Sequence, residues 1–199
     1  MQINYKNMPT SKIDHTEKVI LGIDPGTRIM GYGVIKVIDN KPELVATGVI
    51  DIRSTNDIYL RLGHIFKRVL GIIDSFMPDE LAIEAPFYGK NVQSMLKLGR
   101  AQGVAIAAAI TRDIPICEYE PKKIKMSITG NGNASKEQVA GMLQKILKFP
   151  TSEISKQLDA SDALAAAYCH YLQSNAPKNE NHIKSWKEYI KKNKDKVHN

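Results

Sequence analysis

Four carboxylates stand out in the 199-residue sequence because of where they fall. Asp24 closes the apolar run that begins at Val19, and Pro25 and Gly26 follow it at once. Glu84 closes a second short apolar run, Leu81-Ala82-Ile83. Asp159 and Asp162 are three residues apart at the start of a segment with helical spacing, so they share one helix face. If the two strands are parallel neighbours, both strand ends open on the same edge of a sheet, where open α/β sheets hold their ligands. Together the four acids could form one cluster, in which each would raise the pKa values of the others. A divalent cation removes that penalty, and Mg²⁺ is a hard ion that prefers carboxylate oxygens and keeps waters. Two such ions about 3.5–4 Å apart can clamp a phosphodiester, one activating water and the other stabilising the leaving 3′ oxygen.

Each acid also has a plainer structural reading. Asp24 ahead of Pro-Gly suits a turn. Asp159 suits a helix cap. Glu84, in LAIEAPF, is harder to explain this way, because a charge in an apolar strand is costly unless paired or bound to a metal. The combination points to chemistry, whereas no single residue does.

The elements that must position these acids follow from periodicity. Runs over Val19–Asp24, Gly31–Val37 and Leu44–Ile52, joined by short turns, predict an antiparallel meander. Apolar residues from Ile58 to Phe76 recur at helical spacing up to Pro78. A short strand to Glu84, a long helix over Val92–Ala109 and a strand over Ile116–Tyr119 come next. A short helix begins at Pro121. Ser135 with Gln138 predicts a capping box for a helix running to Leu147, and a last helix covers Ala160–Leu172. The order βββαβαβααα is that of a mixed α/β domain. Gly99, Gly103 and Ala107 make a small-residue stripe on the long helix. It could serve a dimer interface or let the helix lie flat on its own sheet, and the second reading is preferred.

The formal net charge is +7. Residues 175–199 carry seven Lys against three acids, and the centre is nearly neutral. A basic tail on a near-neutral domain suits an anionic polymer or simple solubility. Ile183, Trp186 and Ile190 would share one face of a helix in that tail. The expected division is a flexible leader over 1–18, a catalytic domain over 19–174 and the tail over 175–199. No apolar run has the length of a membrane span, and the polar N-terminus lacks a signal-peptide core, so a cytoplasmic location is expected. Cys117 and Cys169 read as free buried thiols.

Four segments, GIDPGTRIMGYGVI, AIEAPFYGKN, LKLGRAQGVAIAAA and LDASDALAAAYCH, occur in an order that closely resembles the motifs of the RuvC family. These are bacterial Holliday junction resolvases of the RNase H-like, retroviral-integrase superfamily. The resemblance spans Lys18 to Tyr171. It implies an RNase H-like mixed five-stranded sheet, with the antiparallel meander extended by two parallel strands and flanked by helices. It also implies a homodimeric endonuclease that uses two Mg²⁺ per active site, with Mn²⁺ as a substitute. Such an enzyme resolves four-way DNA junctions by paired symmetric nicks, leaving ligatable ends, and works with the RuvA and RuvB branch-migration proteins. Family catalytic and metal-binding positions fall on Asp24, Glu84, Asp159 and Asp162. Family DNA contacts fall on Phe87, Lys90, Lys125 and Lys136. Two departures, Pro86 after the second acid and Ser161 between the last two, remove no catalytic group.

The residues are compatible with these roles. An exposed Phe87 could stack on an unpaired base, worth about 1–3 kcal/mol. The three lysines could neutralise phosphates, with Lys122 and Lys123 as alternatives to Lys125. Three other readings compete, and the presence of all four acids argues against one of them, a junction-binding module without catalysis. An ATPase of the actin, Hsp70 and sugar-kinase type would need a second phosphate loop. A pre-ribosomal RNA nuclease of the same superfamily would keep the fold and change the substrate.

Overall fold

The structure is a computed structural model that describes residues 17–86, 91–149 and 158–175, with Leu158 and Asp159 described by their backbone alone. Strands β1 (Glu17–Asp24), β2 (Ile29–Ile38) and β3 (Lys41–Asp51) form the expected meander. Asp39 and Asn40 both take positive φ (49° and 62°), which makes the tight turn between β2 and β3. β1 begins at Glu17, so the last two residues assigned to the leader belong to the sheet. β4 (Glu80–Glu84) pairs in parallel with β1, and β5 (Ile116–Tyr119) pairs in parallel with β4. The strand order is β3-β2-β1-β4-β5. β1 and β4 therefore lie at the centre, and each ends on an acid.

Among the described residues, five helices cover the two faces. On one, α1 (Ile58–Phe76) and α2 (Val92–Ile110) pack on Leu21, Ile23, Val34, Ile50, Leu81 and Ile83. On the other, α3 (Pro121–Thr129), α4 (Lys136–Leu147) and α5 (Leu158–Ser174) pack on Ile20, Ile35 and Ala82. Asp57 caps α1 by accepting from the Tyr59 and Leu60 amides at 2.8 and 2.9 Å. Ser135 and Gln138 form the expected capping box, which fixes where α4 starts and so where Lys136 stands.

α2 corrects the preferred reading of its small-residue stripe. The residues that α2 buries are Ala101, Gln102, Ala105, Ala108 and Ala109. A Cβ added at Gly99 or Gly103 would meet nothing within 4 Å, so the stripe faces away from the sheet. The close approach of helix to sheet occurs elsewhere. A Cβ at Gly33 in β2 would come 2.7 Å from the Cα of Leu164, so α5 rests on bare backbone. Cys117 and Cys169 are free, but only Cys169 is fully buried; Cys117 is partly exposed. None of the described helices is long and apolar enough to cross a membrane.

Candidate active site

The parallel register of β1 and β4 sets Ile20 beside Glu80 and Ile23 beside Ile83. One further step brings Asp24 to the level of Glu84. Asp162 lies early in α5, whose apolar face covers β1 and β2. These three acids line one open cavity of about 250 Å³, with Lys125 from α3 and Lys136 from the first residue of α4. Lys122 lines a neighbouring cavity of about 310 Å³ with Gly132 and Asn133, and Lys125 borders both. Asp159 starts the same helix as Asp162, and its side chain lies outside the described residues, as do Phe87 and Lys90.

The electrostatics of the cavity are dominated by the burial of a carboxyl, with a second acid nearby. Burial pushes the Glu84 carboxyl up to about 7, and the negative charge of Asp162 adds to the shift. Lys136 and Lys125 pull the other way without cancelling it. Lys136 is ion-paired with Asp162, whose side chain is only 14% exposed. Among the described residues, no three His, Cys, Asp or Glu side chains stand close enough to hold a metal ion. The donor set nevertheless fits a hard divalent cation: carboxylates around a common space, one of them short of compensating positive charge. The Lys136 ammonium supplies part of that charge.

The sequence reading missed the second basic cavity and the role of the strand glycines. Gly22 and Gly33 inside otherwise apolar strands were the available signal, since interior strand glycines mark close backbone approach.

The family model described as crossover junction endodeoxyribonuclease RuvC matches residues 20–170. The chain belongs to the RuvC family. A RuvC of Bacteroides fragilis is 63% identical over 181 residues, covering 91% of this chain and 96% of the relative. A RuvC of Porphyromonas gingivalis is 57% identical over 184 residues, covering 91% and 97%. Among solved structures, T. thermophilus RuvC in complex with a Holliday junction substrate superposes with a TM-score of 0.71 at 32% identity, covering 79% of this chain and 94% of that one. The yeast mitochondrial Holliday junction resolvase Ydc2, at 16% identity and a TM-score of 0.58, shares the fold. Membership in the RuvC family leaves the ATPase and pre-ribosomal RNA nuclease readings without support.

Proposed function

We propose that this chain is a structure-specific endonuclease that resolves four-way DNA junctions by paired, symmetric nicks. The observation that carries the reading is the single cavity shared by Asp24, Glu84, Asp162, Lys125 and Lys136, in a chain 63% identical to a named RuvC. Asp24, Glu84, Asp159 and Asp162 would hold two Mg²⁺ ions, replaceable by Mn²⁺. When bound, these ions supply Lewis-acid activation of water and stabilisation of the leaving 3′ oxygen. Lys125 and Lys136 would contact phosphates beside the scissile bond, positioning the strand without reading its sequence. Phe87 and Lys90, in the segment after Glu84, would meet the bases and backbone near the crossover.

Paired nicks need two active sites, hence a homodimer. The outward stripe on α2 supports this: Val92, Leu96 and Ile110, all more than half exposed, line up with Gly99 and Gly103 along one face. The leader, and a tail adding phosphate contacts along a junction arm, complete the proposed domain division. RuvA and RuvB are the partners that the family resemblance implies, and the cytoplasm is the proposed location.

The test is incubation with a synthetic mobile four-way junction and Mg²⁺, beside a linear duplex of the same sequence. Paired cuts are expected in the junction alone. Ca²⁺ should support binding without efficient cutting. Asp24→Asn should bind the junction and fail to cut. Equal cutting of duplex, or full activity in excess chelator, overturns the reading.

A further inference from the structure

Away from the acid cavity, four polar side chains link up across the interior. Lys18 of β1 is ion-paired with Glu80 of β4. The same Glu80 oxygen meets Nε2 of His170 in α5. The other ring nitrogen, Nδ1, lies 2.7 Å from the hydroxyl of Tyr119 in β5. His170 and Tyr119 are buried, with 4% and 8% exposure. Burial pushes the Glu80 carboxyl up, but the hydrogen bonds from Lys18 and His170 outweigh it and hold it below its usual value. An ionised Glu80 can only accept, so Nε2 carries the hydrogen toward it, and in the neutral ring Nδ1 accepts the tyrosine O–H.

As a source of stability alone this arrangement is a poor choice. The Lys18–Glu80 pair keeps 34% and 26% of its side-chain surface exposed, where an ion pair adds little, and apolar side chains of the same volume would fill the buried positions of His170 and Tyr119 as well. Direction is what the polar links add. The face that α5 lays on the sheet includes Ala163 and Ala167 over the bare backbone of Gly22 and Leu164 over that of Gly33, all fully buried. Such a surface permits close approach; Leu164 and the Tyr171 hydroxyl, which donates to the Asn40 carbonyl at 2.8 Å, resist sliding along the helix axis without reaching β4. The hydrogen bonds of His170 supply a stop at one end.

The elements joined are the ones that carry the acids. β1 bears Lys18 and Asp24, β4 bears Glu80 and Glu84, and α5 bears His170 as well as Asp159 and Asp162. On α5, His170 and Asp162 are eight residues apart, about 12 Å along a rigid helix, so a shift at one is transmitted to the other. We infer that His170 is a positioning residue for the acid cluster: held by Glu80 and Tyr119, it sets the axial register of α5 and thereby the separation of Asp159 and Asp162 from Asp24 and Glu84. This rests on the nuclease reading above.

The experiment compares His170→Leu, which fills the space without polar links, with His170→Gln, which can donate to Glu80 and accept from Tyr119. Tyr119→Phe, which deletes one hydroxyl, is the milder variant should His170→Leu not fold. For His170→Leu, junction affinity should stay within about twofold, since the phosphate contacts are untouched. Its cutting rate should fall about 10–100-fold, the range expected from misplacement by up to an ångström. The Mg²⁺ concentration for half-maximal cutting should rise, and the increase in Tm on adding Mg²⁺ to the DNA-free protein should shrink. His170→Gln should recover most of the rate, and Tyr119→Phe should move the same quantities in the same direction by less. Variants that lose Tm while keeping wild-type rate, Mg²⁺ dependence and Mg²⁺-induced Tm shift overturn the inference and leave His170 a structural residue. Glu84→Gln runs alongside: if it cuts, the acid assignment itself is at fault, a failure distinct from that of His170.

Discussion

Gly22 of β1 lies directly beneath Ala163 of α5, so close that a Cβ at Gly22 would come 2.0 Å from the Ala163 carbonyl oxygen. The obstacle is backbone, which cannot rotate aside as a side chain would. Asp162 immediately precedes Ala163 in α5, and Asp24 is two residues beyond Gly22 in β1. The distance between these acids is therefore set by a seat that only glycine provides. Gly22→Ala should lift α5 at a cost of about 1–3 kcal/mol, lowering Tm by several degrees. Cutting should be lost below the new Tm, while a duplex arm is still bound. Thermal melts and single-turnover cleavage at matched temperatures check this.

Glu84 makes stability depend on pH with a predictable sign. Its carboxyl is held at about 7 in the fold, above the value for a free glutamate, so the folded state binds more protons between those limits. Its contribution is fully present at low pH and is lost as pH rises through 7. In chelator, urea denaturation should show wild type losing up to about 3 kcal/mol relative to Glu84→Gln between pH 4 and pH 8. Mg²⁺ at pH 8 should restore wild type and leave the Gln variant nearly unchanged. A flat difference across that range would mean that burial does not penalise the Glu84 charge.

Lys136 has a role in each state of the enzyme. It is ion-paired with Asp162 in the protein alone, and it is proposed to meet a phosphate in the complex. Lys136→Met should lower metal-free stability at pH 8, because Asp162 and Glu84 lose a compensating charge. It should also reduce the log–log salt slope of junction binding by about 1, the value for one phosphate contact. Fluorescence anisotropy across a salt series measures the slope.

Deleting residues 176–199 tests the tail and spares the Asn175–Asn40 hydrogen bond of 2.7 Å. If three or four of its lysines neutralise phosphates, the salt slope should fall by about 3. Preference for a junction over a duplex should hold, since the tail would touch both. An unchanged slope would return the tail to a solubilising role.

The sequence made the elements readable because their signals are local. Alternation marks the meander, Pro78 ends the span of α1, and Ser135 with Gln138 marks the start of α4. The acids at the ends of β1 and β4 were visible for the same reason, as charges terminating apolar runs. Contacts between distant segments left weaker traces. The stripe on α2 could not show which side it faced, because small residues suit a sheet and a partner equally. The Lys136–Asp162 pair and the links from Lys18 through Glu80 and His170 to Tyr119 join residues whose local spacing is unremarked, and only the packing of α5 brings them together.

The order of elements also has a consequence for biosynthesis. Asp24 belongs to the first strand of the domain and Asp162 to its last helix. The meander can pair by short-range contacts as soon as it leaves the ribosome, but α5 docks only after every other described element has been made. A nascent or interrupted chain can thus display a folded sheet with Asp24 and Glu84 already side by side and still lack Asp159 and Asp162. With the proposed acids as the catalytic groups, the ability to cut DNA is acquired only once α5 has been made and docked, so fragments that stop short of α5 are born harmless.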